Sequence, residues 1–382
     1  MGIKGLAKLL ADHAPGCCRE QKYDNYFGRK IAIDASMHIY QALVVVGRTG
    51  DQTLTNEAGE VTSHIQNMFF RTAKMLESGM RPVYVFDGKP PTLKKEELSR
   101  RRERFTDATD NLEKAKEAGN AEDVAKYAKR TVRVTQQHND ECKRLLDLMG
   151  VPIINAPSEA ESQCAAMCKQ GLVYAIATED MDALTFATPR LIRNLCAAQA
   201  AKLPITEYEY DKVLEGLKLT ADQFVDLCIL CGCDYCGSIK GIGGARAMQL
   251  IQKHGSLEAV MAQLDTARYG VPDPFPFAEA RTLFKEPDVF TAEAVPPLKW
   301  GECNEEGLVA YLVGEKNFSE ERVRSAIRKL NANKGKSSQG RLESFFGAVT
   351  TKHSTTGKRK EADSKSKPAA KRGKMGGVGK KK

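Results

Sequence analysis

Short apolar runs alternate with helix-period stretches along most of this chain. Lys30-Ile-Ala-Ile-Asp34, Pro82-Val-Tyr-Val-Phe-Asp87, Val151-Pro-Ile-Ile-Asn155 and Val173-Tyr-Ala-Ile-Ala177 each read as a buried strand. Between them, Ala35 to Val46, Thr62 to Ser78 and Asn139 to Met149 carry apolar residues at helical spacing. In the second, Ile65, Met68, Phe69 and Leu76 share one face. Gly150 stops the third. Strands separated by helices predict an α/β fold with a mostly parallel central sheet flanked by helices. Leu191 to Asn194 and Lys202 to Tyr210 read as partly polar strands near an edge, and Leu6 to Leu10 as a short amphipathic helix. Gly47 to Glu60 reads as loop.

The same strands end in acids. Asp34 and Asp87 close the first two, Glu159 and Glu161 follow the third, and Asp180 and Asp182 follow the fourth. Sites in open parallel sheets form at the carboxyl ends of the strands, so these acids are expected to meet. Asp234 stands in a similar setting after a helix. Clustered carboxylates repel unless cations sit among them. Hard oxygen ligands favour Mg²⁺, with Mn²⁺ as a substitute. Two such ions about 4 Å apart would activate a water and stabilise the leaving oxygen of a phosphodiester. A plainer reading coexists: Ser158-x-x-Glu161 is a capping box, and Asp180 a cap for the next helix. No His or Cys accompanies the acids, so nucleophilic catalysis is unsupported.

Charge changes the picture in three places. Lys89 to Arg144 holds 15 Lys+Arg and 11 Asp+Glu with few large apolar residues. Lys94, Leu98, Arg101 and Phe105 form one helical stripe, and a second basic helix carries Lys126, Lys129, Arg130 and Arg133. Inserted after a strand-end acid, this segment reads as a basic lid for a polyanionic substrate. Second, Gly241-x-Gly243 lies between two helical patterns, a turn whose free N–H groups suit a DNA backbone, as in a helix-hairpin-helix element. Third, the net charge of +9 is concentrated after Asn331, where 15 Lys+Arg face 3 Asp+Glu and the composition predicts disorder. Within that tail, Gln339, Leu342, Phe345 and Phe346 form an apolar island suited to a partner's pocket. Lys358-Arg-Lys360 and Lys371-Arg-Gly-Lys374 read as a nuclear localisation signal. Val271 to Pro297 is Pro-rich and reads as irregular; Glu305 to Lys316 and Ser319 to Leu330 read as closing helices. The eleven Cys, with no secretory signal, point to reduced thiols. Cys231, Cys233 and Cys236 lack a second pair at zinc-ligand spacing. No run approaches the roughly 18 apolar residues of a membrane span.

Met1-Gly-Ile-Lys-Gly-Leu6, Ile33-Asp-Ala-Ser36, Val85-Phe-Asp-Gly-Lys-Pro-Pro91, Pro157-Ser-Glu-Ala-Glu161, Thr178-Glu-Asp-Met-Asp182 and Gly232-Cys-Asp-Tyr235 through Gly243 together resemble the eukaryotic flap endonucleases. The resemblance covers essentially the whole chain. It implies a structure-specific five-prime nuclease and exonuclease, acting in Okazaki fragment maturation and long-patch base excision repair. It implies a nuclease core over 1–330, made of an N-terminal region (1–105), a helical arch (89–144) and an internal region (122–254) that contains the helix-hairpin-helix element (220–254). The tail over 331–382 would carry the clamp-binding box at 339–346. By resemblance, Asp34, Asp87, Glu159, Glu161, Asp180, Asp182 and Asp234 are metal ligands, and Lys94 and Arg101 contact the scissile phosphate. Tyr40 stacks on a nucleotide, and Gly2 sits beside the site. Arg71, Gly232, Gly241 and Gly243 join the DNA contacts, together with Glu159 and Asp234. The backbone of Ser238, Ile239 and Ile242 would hold K⁺, and Gln339, Leu342, Phe345 and Phe346 a sliding clamp. Gly244-Ala245 departs from the Pro-Lys of many relatives and leaves one fewer cation at the DNA backbone. The implied partners are branched DNA with a five-prime flap and the clamp; the implied state is a monomer in the nucleus, with the mitochondrion as a second location.

Overall fold

The computed structural model describes residues 2–46, 62–195, 203–265 and 268–333. Seven strands form one sheet: β1 (Cys18–Gln21), β2 (Lys30–Asp34), β3 (Arg81–Phe86), β4 (Ile153–Asn155), β5 (Ala175–Ala177), β6 (Arg190–Arg193) and β7 (Ile205–Glu209). Their order is β1-β7-β6-β5-β2-β3-β4. β4, β3, β2, β5 and β6 run parallel, while β7 pairs antiparallel with both β6 and β1. β1 was not legible as a strand: Cys-Arg-Glu-Gln has no apolar alternation and is paired through its backbone at the sheet edge.

The helices are α1 (Leu6–His13), α2 (Ala35–Val46), α3 (Ser63–Glu77), α4 (Lys95–Glu117), α5 (Ala121–Ala128), α6 (Gln136–Leu148), α7 (Ala160–Lys169) and α8 (Asp182–Thr185). They continue with α9 (Tyr210–Leu217), α10 (Ala221–Cys231), α11 (Gly244–His254), α12 (Leu257–Gln263), α13 (Phe277–Lys285), α14 (Glu305–Val309) and α15 (Glu320–Asn333). A π-helical stretch, Ala310–Glu315, prolongs α14. Alternate residues of the parallel strands feed two cores. Ala32, Val83, Val85, Ile154 and Ile176 pack towards α7 and α10, while Ile31, Ile33, Tyr84, Phe86 and Ala177 pack towards α3, α6 and α15. Burial on both faces leaves Asp34, Asp87 and Asp180 at or just past the carboxyl ends of β2, β3 and β5, while Lys94 and Arg101 come from the helical segment beside them and Asp234 from just past α10.

The inserted segment is helical, but the second basic helix stops at Ala128, so Lys129, Arg130 and Arg133 lie beyond it. α4 and α5 form the arch. α6 already belongs to the core through Cys142, Leu145 and Leu146, which shortens the expected 89–144 arch. Val271 to Pro297 is not wholly irregular: α13 buries Ala280 and Phe284 there, and Arg281 bonds Asp226 of α10 at 2.7 Å. α10 and α11 pack together as the expected pair, and Thr220 with Gln223 forms the predicted capping box. α15 carries the folded region to Asn333, past the expected boundary at 330. The clamp-binding and nuclear localisation segments lie outside the described residues.

Candidate active site

Asp34 is the last residue of β2. Its Oδ1 accepts the Met37 N–H at 3.0 Å and its Oδ2 the Thr178 hydroxyl at 3.3 Å. Asp87 follows β3, and its Oδ1 accepts the Ala160 N–H at 2.8 Å. That bond decides how α7 begins. The Ser158-to-Glu161 capping box does not form: Glu159 is the N-cap and makes no side-chain cap bond. Asp87 satisfies the free N–H instead, which releases Glu159 and Glu161 to face the site. Asp180 follows β5, and its Oδ1 accepts the Asp182 N–H that opens α8, at 3.0 Å. Asp180 is not the N-cap of α8, which is Met181 and makes no side-chain cap bond; its carboxylate instead satisfies the first helical N–H from one residue earlier.

Carboxylate oxygens of Glu161, Asp180 and Asp182 lie within 4.8 Å of one another. Burial, then the charge of Asp87, pushes the Asp34 carboxyl up to about 7. Burial, then Asp180, raises both Glu161 and Asp182 well above the carboxylate range, and burial raises Asp180 as well. Four acids thus resist ionisation in the bare protein, the signature of a site built for an added positive charge. Asp182 Oδ1 is buried and has no hydrogen-bond partner among the described residues. An orphaned carboxylate oxygen among other carboxylates fits a metal ion. Gly2 closes the same space: with φ at +72°, an added Cβ would fall 1.8 Å from Asp180 Oδ1 and 2.2 Å from Asp182 Oδ1.

Two cations cover the other side. The Lys94 ammonium contacts Glu159, and lies 3.3 Å from Asp234 and 4.0 Å from Glu161. Burial opposes its charge, but Glu161, Glu159 and Asp234 together hold its pKa above the ordinary lysine value. Arg101, about two turns along the α4 stripe from Lys94, donates to Asp234 Oδ2 at 2.5 Å and to Glu97 at 3.2 Å. Sequence reasoning missed Tyr235, whose hydroxyl donates to Glu159 Oε2. The only available signal was its place beside Asp234. All seven predicted acids, with Lys94 and Arg101, therefore meet at one end of the sheet.

The remaining predicted residues surround this centre. Gly232 caps α10 at φ +104°, where a Cβ would lie 2.4 Å from Ser238 Oγ. Lys4 donates its N–H to Gly232 O at 3.3 Å and its ammonium to Ser238 Oγ at 2.7 Å. The N-terminal turn is thereby tied to both the acids and the helix-hairpin-helix turn. Ile239 and Ile242 are buried in that turn, Gly241 has φ +88°, and Gly243 caps α11. Tyr40 is half-buried on α2. Arg71 of α3 lies near His38, whose pKa is lowered to about 3 by burial and then by the Arg71 charge.

The chain matches the XPG N-terminal domain over residues 1–108 and the XPG I-region over 150–234. Flap endonuclease 1 of Chlamydomonas reinhardtii is 62% identical over 91% of this chain and 88% of its own length. The chain belongs to the flap endonuclease family. Flap endonuclease 1-A of Sorghum bicolor is 59% identical over 100% of both chains. Among solved structures, the flap endonuclease-1 of Methanococcus jannaschii superposes with a TM-score of 0.66 at 34% identity, covering 85% of this chain and 98% of that one. The catalytic core of Rad2 in complex with DNA substrate also gives 0.66, at 25% identity over 86% and 100%. The fold, the acid cluster and the flap endonuclease relationship agree: the chain is a DNA nuclease.

Proposed function

We propose that this flap endonuclease hydrolyses DNA phosphodiesters at the base of a five-prime flap with two divalent ions, Mg²⁺ or Mn²⁺. Glu161, Asp180 and Asp182 would hold the metal, with Asp34, Asp87, Glu159 and Asp234 as flanking ligands or bridges through water. Bound there, the metal supplies Lewis acidity and neutralises charge on the phosphate. The chain's own residues do the rest. Lys94 and Arg101 bind the scissile phosphate and disfavour its displacement. Tyr235 fixes Glu159. Gly2 leaves Asp180 and Asp182 room to face the centre. The helix-hairpin-helix turn, with K⁺ held by the backbone of Ser238, Ile239 and Ile242, would grip duplex DNA, and Tyr40 and Arg71 would contact the strand near the cut. Gln339, Leu342, Phe345 and Phe346 would dock on a sliding clamp in the nucleus during lagging-strand maturation and repair.

The observation that carries this reading is the buried, unpartnered Asp182 Oδ1 amid Glu161 and Asp180. A scaffold that only bound DNA would gain nothing from burying mutually repelling acids. The test is cleavage of a five-prime-flap oligonucleotide beside nicked, gapped and four-way substrates. Preferential flap cleavage with Mg²⁺, abolished by chelator, is expected. Metal-independent cleavage, or preference for the four-way substrate, would overturn the reading.

A further inference from the structure

The acids occupy the carboxyl ends of the parallel strands; their amino ends carry the opposite charge. Lys30 opens β2, Arg81 opens β3 and Arg190 opens β6, with Arg29 just before β2. Arg29, Lys30 and Arg81 are exposed and Arg190 is half-buried. Lys30 and Arg81 are direct register partners. Like charges placed opposite each other across a ladder destabilise it. Two aromatic rings accommodate the crowding. The Arg29 and Arg190 guanidiniums lie 4.5 and 4.7 Å from the Tyr174 ring centre, and Arg81 and Lys30 lie 5.6 and 5.9 Å from that of Trp300. Both rings are pinned, Tyr174 by its hydroxyl on Glu207 at 3.3 Å and Trp300 by its indole N–H on Pro82 O at 2.9 Å. Of the neighbouring acids, Glu207 is buried and accepts the Tyr26 hydroxyl at 2.9 Å, and Glu209, opposite Arg190, is held first by Lys212 at 2.5 Å, with Arg19 at 3.8 Å and the Arg190 charge acting on it as well. None of the four cations makes an ion pair among the described residues.

We propose that this row is a second nucleic-acid surface, which takes the phosphodiester backbone of a strand not being cleaved. It stands about 13 Å from the acid centre, the length of β2 from Lys30 to Asp34. Lys30 and Arg81 sit on adjacent strands about 4.8 Å apart, and Arg190 lies two strands from Lys30, across β5, so the row runs across the strand ends as a backbone would. Three of the four are Arg, whose fork fits phosphate oxygens and keeps donor edges free while its face rests on a ring. The proposal rests on the flap endonuclease reading for its occupant: at a branched substrate, further DNA is the polyanion at hand.

The test uses the full-length protein in chelator, with an unbranched single-stranded oligonucleotide as probe, and compares Arg29→Gln/Arg81→Gln/Arg190→Gln with the matching triple Lys variant. Neutralising three phosphate contacts should reduce the slope of log affinity against log salt by about 2. The Lys variant should keep the wild-type slope, which excludes misfolding as the cause. Single-turnover flap cleavage with Mg²⁺ should be unchanged. An unaltered slope in the Gln variant would overturn the proposal. So would a parallel fall in flap cleavage, or displacement of the probe by polyglutamate as readily as by unlabelled DNA, which would indicate an acidic protein partner. Failure of wild-type flap cleavage would instead strike at the function from which the occupant was inferred.

Discussion

Lys94 and Asp234 meet at 3.3 Å across the mouth of the acid centre, joining the start of the arch to the turn after α10. The contact places a cation from the lid over carboxylates that need one. It also means that a substrate phosphate reaching Lys94 competes with the protein's own acids. Lys94→Ala should therefore slow single-turnover cleavage by about 10²–10³, as loss of one pre-organised donor to a developing charge does. Affinity should change far less, since one phosphate contact lowers the salt slope by only about 1. An unchanged chemical rate would show that Lys94 merely lines the surface.

Asp182→Ala removes the orphaned oxygen. DNA binding should persist while cleavage falls by more than about 100-fold, beyond the effect of losing an outer-shell partner of a metal ligand. Near-wild-type turnover would remove Asp182 from the metal centre.

Much of this was legible beforehand because burial on both faces leaves a plain signature. Lys30 to Asp34 and Arg81 to Phe86 are short apolar runs whose only polar exits are acids. The acids' convergence followed from parallel topology. What was hidden depended on tertiary partners. β1 is polar and is held by backbone pairing with β7. α13 lies in a Pro-rich stretch, fixed by Arg281 on Asp226 and Glu258. The capping box at Ser158 had the right spacing, but Asp87 supplied the cap from another strand. Tyr235 acts on a residue far along the chain, which no local pattern records.

Gly2→Ala tests the close approach at the N-terminal turn. A methyl group would meet Asp180 and Asp182 below contact distance, from a backbone conformation unfavourable to any L side chain. Mn²⁺ affinity, measured by titration without DNA, should weaken by about 10–100-fold. An unaffected affinity would mean that the turn moves aside freely.

The acids also set a pH dependence. In metal-free protein, Asp34, Glu161, Asp180 and Asp182 have carboxyl pKa values raised above those of the unfolded chain. Each binds its proton more tightly when folded, so its contribution to stability is present below pH about 4 and is lost as pH rises through the folded value. For Asp34 that window ends near 7. In chelator, Asp182→Asn should thus gain Tm relative to wild type as pH rises from 5 to 8. The stabilisation of wild type by Mg²⁺ should grow over the same range, because ligands must lose protons to bind metal. A variant advantage that shrinks with pH would contradict the electrostatic account.

The most direct measurement is anomalous diffraction from a crystal of the full chain soaked in Mn²⁺. The account predicts a peak within coordination distance of Glu161, Asp180 and Asp182, with any second peak among Asp34, Asp87, Glu159 and Asp234. Peaks confined to other surfaces, or none at saturating Mn²⁺ with these carboxylates ordered, would contradict it.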